Sequence, residues 1–176
     1  AYSVFPNLGR YRPPVAILEV ADADGNVIET TTPGDGTQVV DPRLAYMITH
    51  ILTDRYAHYA TYSPTNILNT LPRTAAWKTG TTDNYRDTWT IGYTPDLVVG
   101  VWLGNTDNTP TRRVWSSVGA GKIWAEAMQV AWGVLQQPAR EFERPEGLVD
   151  VTTCAGHERI RPNRAPHCWS DVALAR

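Results

Sequence analysis

The sequence predicts an α/β protein in which an antiparallel sheet is packed with helices. A run of small residues at 75–82 and two apolar segments at 88–93 and 97–103 are separated by turn residues, which is the pattern of three consecutive strands. Apolar residues recur at helical spacing over 42–55 and 121–135. We therefore expect a three-stranded antiparallel sheet with these two helices behind it.

Both helices have recognisable ends in the sequence. Asp41 is suited to the N-cap of the first helix, Pro42 to its first position, and Pro138 ends the second helix. On the first helix we expect one buried face, formed by Leu44, Met47, Ile48, Ile51 and Leu52. The second helix is predicted from the spacing of Ile123, Ala127, Val130, Val134 and Leu135.

The chain before the first helix predicts smaller elements. Residues 1–9 are typical of the last turn of a helix. Residues 15–20 and 27–28 predict two strands of a hairpin, joined by a turn at 22–26 in which Gly25 can take a positive φ.

Composition excludes several classes of protein. The 176 residues suit one domain. They carry 16 basic and 18 acidic side chains, a net charge of -2, and show no basic run, so we expect no nucleic-acid partner. No stretch approaches the roughly 20 apolar residues that cross a membrane. The chain shows no signal peptide and begins inside an expected helix end, so we expect it to be a piece of a larger protein.

The residues with the clearest chemical potential form the run Lys78-Thr79-Gly80-Thr81-Thr82 in the first predicted strand. Gly80 has no side chain, so a ligand can approach the backbone there. The Thr81 N–H can face a developing oxyanion, and the hydroxyls of Thr79 and Thr81 can donate to a carboxylate. Lys78 supplies positive charge. A Lys-Thr-Gly strand is one of three marks of serine acyltransferases that react with penicillin.

A structural interpretation competes with this one. Lys-Thr-Gly is a common tripeptide, most often a turn with a solvated Lys, but Thr81, Thr82 and the strand pair that follows favour a site. Trp77 either packs in the core or walls a cleft beside Lys78. For His50 and His58 we expect ordinary surface or packing positions rather than a general base.

Cys154 and Cys168 lie in the polar C-terminal tail. They predict a disulfide that closes a tail loop in an oxidising compartment. A zinc site that also includes His157 and His167 is the alternative. It is disfavoured because the tail has no Cys-x-x-Cys or His-x-x-x-His pair.

Three longer blocks, residues 76–89, 92–97 and 100–105, resemble the C-terminal half of the transpeptidase domain of penicillin-binding proteins. They are most similar to the bifunctional class A members. The resemblance extends over residues 1–137, and residues 138–176 resemble a Cys-bearing extension that some members carry. It implies a partial penicillin-binding, serine β-lactamase-like fold.

That family implies three motifs, Ser-x-x-Lys, Ser-x-Asn and Lys-Thr-Gly, and this chain matches the third. No Ser here has Lys three positions later. The resemblance therefore implies that the nucleophile lies upstream, as do a membrane anchor and a glycosyltransferase domain. By transfer, Lys78 and Thr81 are catalytic. The implied substrate-binding residues are Trp77, Thr79, Gly80, Thr81 and Thr82.

The resemblance also implies the partners, which are peptidoglycan stem peptides and β-lactams, with no cofactor and no metal. The location it implies is extracytoplasmic, on the cell-envelope side of the bacterial membrane. Two other functions remain open: a penicillin-sensing receptor domain that is acylated without turnover, and a non-catalytic module that binds wall peptides. We further expect the fragment to self-associate through the edge of the 97–103 strand.

Overall fold

The computed structural model describes residues 1–59, 61–154 and 168–175. Its α-helices are α1 (Pro42–Thr53), α2 (Arg55–His58) and α3 (Ala120–Leu135). Its strands are β1 (Arg10–Tyr11), β2 (Glu19–Ala21), β3 (Val27–Thr30), β4 (Thr37–Gln38), β5 (Ala76–Thr81), β6 (Asp87–Thr94), β7 (Leu97–Gly104), β8 (Leu148–Cys154) and β9 (Cys168–Leu174). Helices thus pack with antiparallel strands, and the predicted α/β class is confirmed.

The central sheet is three-stranded and antiparallel, in the order β5-β6-β7. Each strand lies within two residues of its predicted ends. Thr94 pairs with Leu97 across the tight turn between β6 and β7, which fixes the register of that hairpin. The predicted sheet is therefore confirmed. Its strands could be recognised in the sequence because turn residues separate them.

One face of the sheet packs against α3 and forms the core. Trp124 of α3 is fully buried, and its indole Nε1 donates to the carbonyl of Val99 at 3.0 Å. A Cβ on Gly92 would lie 2.6 Å from the carbonyl oxygen of Ala76 and would overlap the Trp124 ring. Glycine at this position therefore lets the large indole lie directly on the strand.

The start of α1 is confirmed, but its predicted buried face is wrong. The Asp41 side chain accepts from the Arg43 backbone N–H at 2.8 Å, and Pro42 is the first helical residue. Three of the five expected core positions are instead exposed: Leu44 at 47%, Ile48 at 41% and Ile51 at 56%. The helix ends at Thr53, two residues earlier than expected.

Small and polar side chains of α1 face the sheet instead. Ala45 and Thr49 are the buried residues of this helix. The Thr49 hydroxyl is 3.0 Å from the Tyr93 hydroxyl of β6, so the two form a buried hydrogen bond. Small side chains allow the helix backbone to approach the sheet closely, and a bulky Leu or Ile stripe would hold it farther away.

On α3 the helix is confirmed, but its apolar spacing did not identify the buried side. The residues that predicted the helix are largely exposed: Ile123 at 47%, Val130 at 67%, Val134 at 77% and Leu135 at 44%. The buried residues are Ala120, Gly121, Trp124, Ala125, Met128 and Trp132. Two tryptophans and a methionine bury more apolar area than the valines, so the face of α3 that carries them packs against the sheet.

The N-terminal region differs from expectation in detail. Residues 1–9 contain a 3-10 turn at Tyr2–Val4 rather than the end of an α-helix. The expected strand at 15–20 begins only at Glu19, where β2 pairs with β3. The turn between them is confirmed, with Asn26 N–H donating to the Asp22 carboxylate at 2.8 Å.

The tail contains a hairpin that the sequence did not predict. Strands β8 and β9 pair over seven positions, and the register places Cys154 opposite Cys168. Opposed residues in an antiparallel pair have Cα atoms roughly 4.5–5.5 Å apart, within the range that a disulfide spans. The side chains of both cysteines, and all of residues 155–167 including His157 and His167, lie outside the part described.

We predict that Cys154 and Cys168 are joined when the protein matures outside the cytoplasm. In denaturant without reductant, neither thiol should react with an alkylating agent, and both should react after reduction. The single variant Cys154→Ser is the matched control, since it should leave Cys168 reactive without reductant. Alkylation of both thiols in the unreduced protein would contradict the pairing.

Self-association remains a prediction. The far edge of β7 has no partner strand within residues 1–59, 61–154 and 168–175. Unpaired backbone groups with apolar neighbours template further pairing, so we expect oligomers at working concentrations. Light scattering measures this. Val98→Lys tests the edge, since Val98 is half-exposed and a charge there should reduce strand pairing between copies. A monomer in the wild type would refute the prediction.

The described part of the chain contains no helix that is both long enough and apolar enough to cross a bilayer.

Candidate functional site

An open groove of about 420 Å³ lies beside β5. It is lined by Thr61, Tyr62, Thr79, Gly80, Thr81, Trp115, Ser116 and Ser117. In the described part of the chain β5 pairs with β6 alone, so one edge of β5 is open. The groove therefore brings three residues of the predicted motif together with two segments that are distant in sequence.

Strand alternation divides the motif between the two faces of the sheet. Lys78 and Gly80 are exposed, whereas Trp77 and Thr79 are buried and Thr81 is half-buried. Successive side chains of a strand point to opposite faces, so Lys78 cannot share a face with Thr79 and Thr81. Of the predicted site residues, Thr79, Gly80 and Thr81 line the groove.

Lys78 is placed beside the groove rather than in it. Its Nζ donates to the backbone carbonyl of Thr79 at 2.7 Å. The groove-lining side chains carry no formal charge, since they are Thr, Tyr, Gly, Trp and Ser. Lys78 is therefore the cation of the motif, held next to a neutral polar groove.

Trp77 packs in the core and Thr82 lies in a turn, so neither residue lines the groove. Trp77 is 3% exposed and belongs to the core, so the packing interpretation describes its position and it does not line the groove. The Thr82 hydroxyl accepts from the backbone N–H of Asp87 at 2.8 Å and closes the turn between β5 and β6. It too lies outside the groove lining.

The opposite wall comes from a segment that carried no motif. Trp115 is 57% exposed, and its ring packs edge-on against Tyr85 at 5.0 Å. The backbone N–H of Ser116 donates to the Thr81 hydroxyl at 3.4 Å. The Ser116 bond ties the wall to β5 across 35 positions of sequence, so local spacing carried no signal for it.

Tyr62 forms the near wall and contacts the motif directly. Its hydroxyl is 2.5 Å from the Thr79 hydroxyl, a short hydrogen bond. Its ring packs edge-on against Trp77 with centroids 5.3 Å apart. Sequence reasoning did not assign structure to this segment, which contains α2 and a 3-10 turn at Ile67–Asn69.

His58 packs beneath this wall. For this residue we expected either a surface position or a packing position, and the structure shows the second. Its ring centroid lies 4.0 Å from that of Trp77. Burial lowers the pKa of His58 below its ordinary value of 6.5, and this outweighs the opposing influence of Asp54 and Asn69. The neutral imidazole is thus the form that the fold favours.

We predict that this lowered pKa makes stability fall in mild acid. Above pH 6.5 His58 is neutral in both folded and unfolded chains, so its contribution to stability is complete there. Below pH 6.5 the unfolded chain takes up the proton first, and stability is lost as pH falls toward the folded pKa. Thermal unfolding from pH 8 to pH 5 measures this, with His58→Gln expected to flatten the profile. Equal slopes for the two proteins would contradict the assignment.

In the described residues, no group of three or more His, Cys, Asp or Glu side chains is close enough to hold a metal ion.

Comparison with known proteins identifies the family, although no family profile matches the chain. Penicillin-binding protein 2D of Bacillus subtilis is 33% identical over 155 residues, covering 86% of this chain and 22% of the relative. Penicillin-binding protein 1A of Aquifex aeolicus is 31% identical over 146 residues, covering 82% and 19%. The chain thus spans about a fifth of the length of these curated relatives.

Solved structures agree on the fold. Penicillin-binding protein 1A from Haemophilus influenzae superimposes with a TM-score of 0.76 at 20% identity, over 98% of this chain and 31% of the other. The penicillin-binding protein PonA1 from Mycobacterium tuberculosis gives a TM-score of 0.66 at 27% identity, over 82% and 39%. The chain belongs to the penicillin-binding proteins. Within them, its homologues are class A members, and its structural counterpart is their transpeptidase region.

Proposed function

We propose that this chain forms one wall of the active-site groove of a serine transpeptidase that cross-links peptidoglycan stem peptides and binds β-lactams. The observation that carries the proposal is the open edge of β5, where Thr79, Gly80 and Thr81 line the groove. The named relatives support it, since they are penicillin-binding proteins.

The groove suits an extended peptide that ends in a carboxylate. Such a peptide can add to the open edge of β5 through backbone hydrogen bonds. The hydroxyls of Thr79 and Thr81 are the donors for its carboxylate, and Lys78 supplies the nearby positive charge. The Thr81 N–H is one donor to the oxyanion that forms when the scissile carbonyl is attacked.

The attacking group comes from outside this sequence in our proposal. Acyl transfer requires a nucleophile with an adjacent base, and no Ser here has Lys three positions later. We propose that an upstream segment of the parent protein supplies both. The parent is then an extracytoplasmic, membrane-anchored protein with a glycosyltransferase domain. Residues 1–137 complete its transpeptidase domain, and residues 138–176 form an extension.

Labelling with a fluorescent penicillin tests the proposal. The full-length protein should be labelled stoichiometrically on a Ser outside residues 1–176, and this chain alone should remain unlabelled. Mass spectrometry locates the adduct, and pre-treatment with unlabelled penicillin is the control for specificity. An adduct on a Ser of this chain, or an unlabelled full-length protein, would overturn the proposal.

A turnover assay separates the alternatives. A transpeptidase releases D-alanine from a stem peptide and transfers the remainder to an amine. A penicillin-sensing receptor is acylated but transfers nothing, and a wall-peptide module binds the peptide without any acylation. Labelling together with transfer therefore supports the transpeptidase alone.

A further inference from the structure

We infer that Tyr62 is a positioning residue that directs the hydroxyl hydrogen of Thr79 into the groove, where a substrate carboxylate can accept it. The inference rests on the proposed function of the groove and names a residue that the Lys-Thr-Gly motif does not include. It is carried by the hydrogen bond between the two hydroxyls, 2.5 Å from oxygen to oxygen.

Tyr62 is held in place independently of Thr79. Its ring packs edge-on against the buried Trp77, with centroids 5.3 Å apart. Its backbone N–H donates to the carbonyl of His58 at 2.8 Å. The phenol oxygen is therefore fixed by the core beneath the groove, and a bond to it fixes the partner in turn.

Either hydroxyl could donate in this bond, and their chemistry sets the direction. A phenol is a stronger donor and a weaker acceptor than an aliphatic alcohol. In our inference Tyr62 therefore donates and the Thr79 oxygen accepts. The Thr79 hydrogen then has to point elsewhere, and the groove that both residues line is the open direction. Donation by Tyr62 also polarises the Thr79 O–H and strengthens its own donation.

The neighbouring threonines show that this arrangement is particular to Thr79. Thr90 lies opposite Thr79 in the sheet, and Thr88 lies opposite Thr81. Both are fully buried, and neither hydroxyl has a hydrogen-bond partner among the residues that the structure describes. On this face of the sheet a threonine hydroxyl is thus not paired by default, and Thr90 offers a matched control.

The first test measures the orientation of Thr79 without any reaction. Three-bond NMR couplings to the Thr79 methyl carbon report its χ1 angle in this chain. We expect one rotamer in the wild type and rotamer averaging in Tyr62→Phe, which keeps the ring packing on Trp77. Thr90→Val should leave the couplings unchanged. A single, unaltered rotamer in Tyr62→Phe would overturn the inference.

The second test measures the consequence in the full-length protein. Tyr62→Phe should slow acylation by benzylpenicillin by about three- to tenfold, the range for losing one hydrogen bond. Acylation by the methyl ester of the same penicillin, which lacks the charged carboxylate, should change less than twofold. In a Thr79→Val background, Tyr62→Phe should have no further effect, because the hydroxyl that it positions is gone. Thr90→Val should acylate at the wild-type rate.

The two tests separate two failures. If the wild-type full-length protein is not acylated, the proposed function is wrong, and the NMR couplings still decide whether Tyr62 positions Thr79. If the wild type is acylated but Tyr62→Phe slows the acid and the ester equally, or adds fully to Thr79→Val, Tyr62 acts on packing alone and the inference is wrong.

Discussion

In the full-length protein, Lys78→Ala is expected to slow acylation by penicillin by more than about a hundredfold. A hydrogen bond to a charged group contributes about 1.5–3 kcal/mol, which corresponds to roughly ten- to a hundredfold in rate. Lys78 also supplies charge to a groove whose lining side chains carry none. Its loss should therefore cost more than the loss of a single hydroxyl donor such as that of Thr81.

Two further variants separate charge from geometry. Lys78→Arg keeps the charge but replaces a compact ammonium, which donates to the Thr79 carbonyl at 2.7 Å, with a larger planar group. We expect it to restore little activity. Lys122→Ala is the matched control, because this lysine is a surface residue of α3 whose side chain is 63% exposed. Acylation of folded Lys78→Ala within threefold of wild type would show that the strand edge acts without this charge.

The sequence predicted the parts of this fold that local patterns specify. Strand β5 follows a run of small residues, β6 and β7 follow apolar segments bounded by turn residues, and α1 begins where Asp41 and Pro42 indicate. Turn and cap chemistry acts over a few residues, so one sequence carries enough information to place such elements.

The buried faces of the helices could not be read in the same way. α1 carries two candidate stripes, one with Leu44 and Ile48 and the other with Ala45 and Thr49, and the smaller side chains face the sheet. Periodicity shows that a helix has an apolar side, but the shape of the opposing sheet decides which side fits. The β8–β9 hairpin was missed for a different reason, since its strands are separated in sequence by residues 155–167 rather than by a short turn motif.

The candidate site divides along the same line. Thr79, Gly80 and Thr81 were predicted because they belong to a short motif, and all three line the groove. Tyr62 and Ser116 were not predicted, since each meets the motif through the tertiary fold, from 17 and 35 positions away in sequence. Strand alternation also places Lys78 on the opposite face from Thr79 and Thr81. The motif alone had predicted one site for all three residues.

The core beneath the groove should be the most sensitive point for stability. Trp124→Ala is expected to lower the free energy of unfolding by about 3–5 kcal/mol, the usual range for removing a buried tryptophan. Trp124 is fully buried, it donates to Val99 at 3.0 Å, and Gly92 leaves space for its ring. Alanine would leave a cavity that the sheet and α3 cannot close by moving together, because Leu68 and Met128 are already packed there.

Thermal and urea unfolding measure this effect. For a chain of this size the expected change corresponds to a fall in melting temperature of about 6–20 °C. Trp115→Ala is the matched control, since Trp115 is 57% exposed and should cost less than about 1 kcal/mol. For ligand binding we expect the opposite order, with the larger loss of affinity in Trp115→Ala. Trp115 lines the groove, whereas Trp124 lies in the core beneath it. A melting temperature for Trp124→Ala within two degrees of wild type would show that α3 does not anchor the sheet in the way its buried indole indicates.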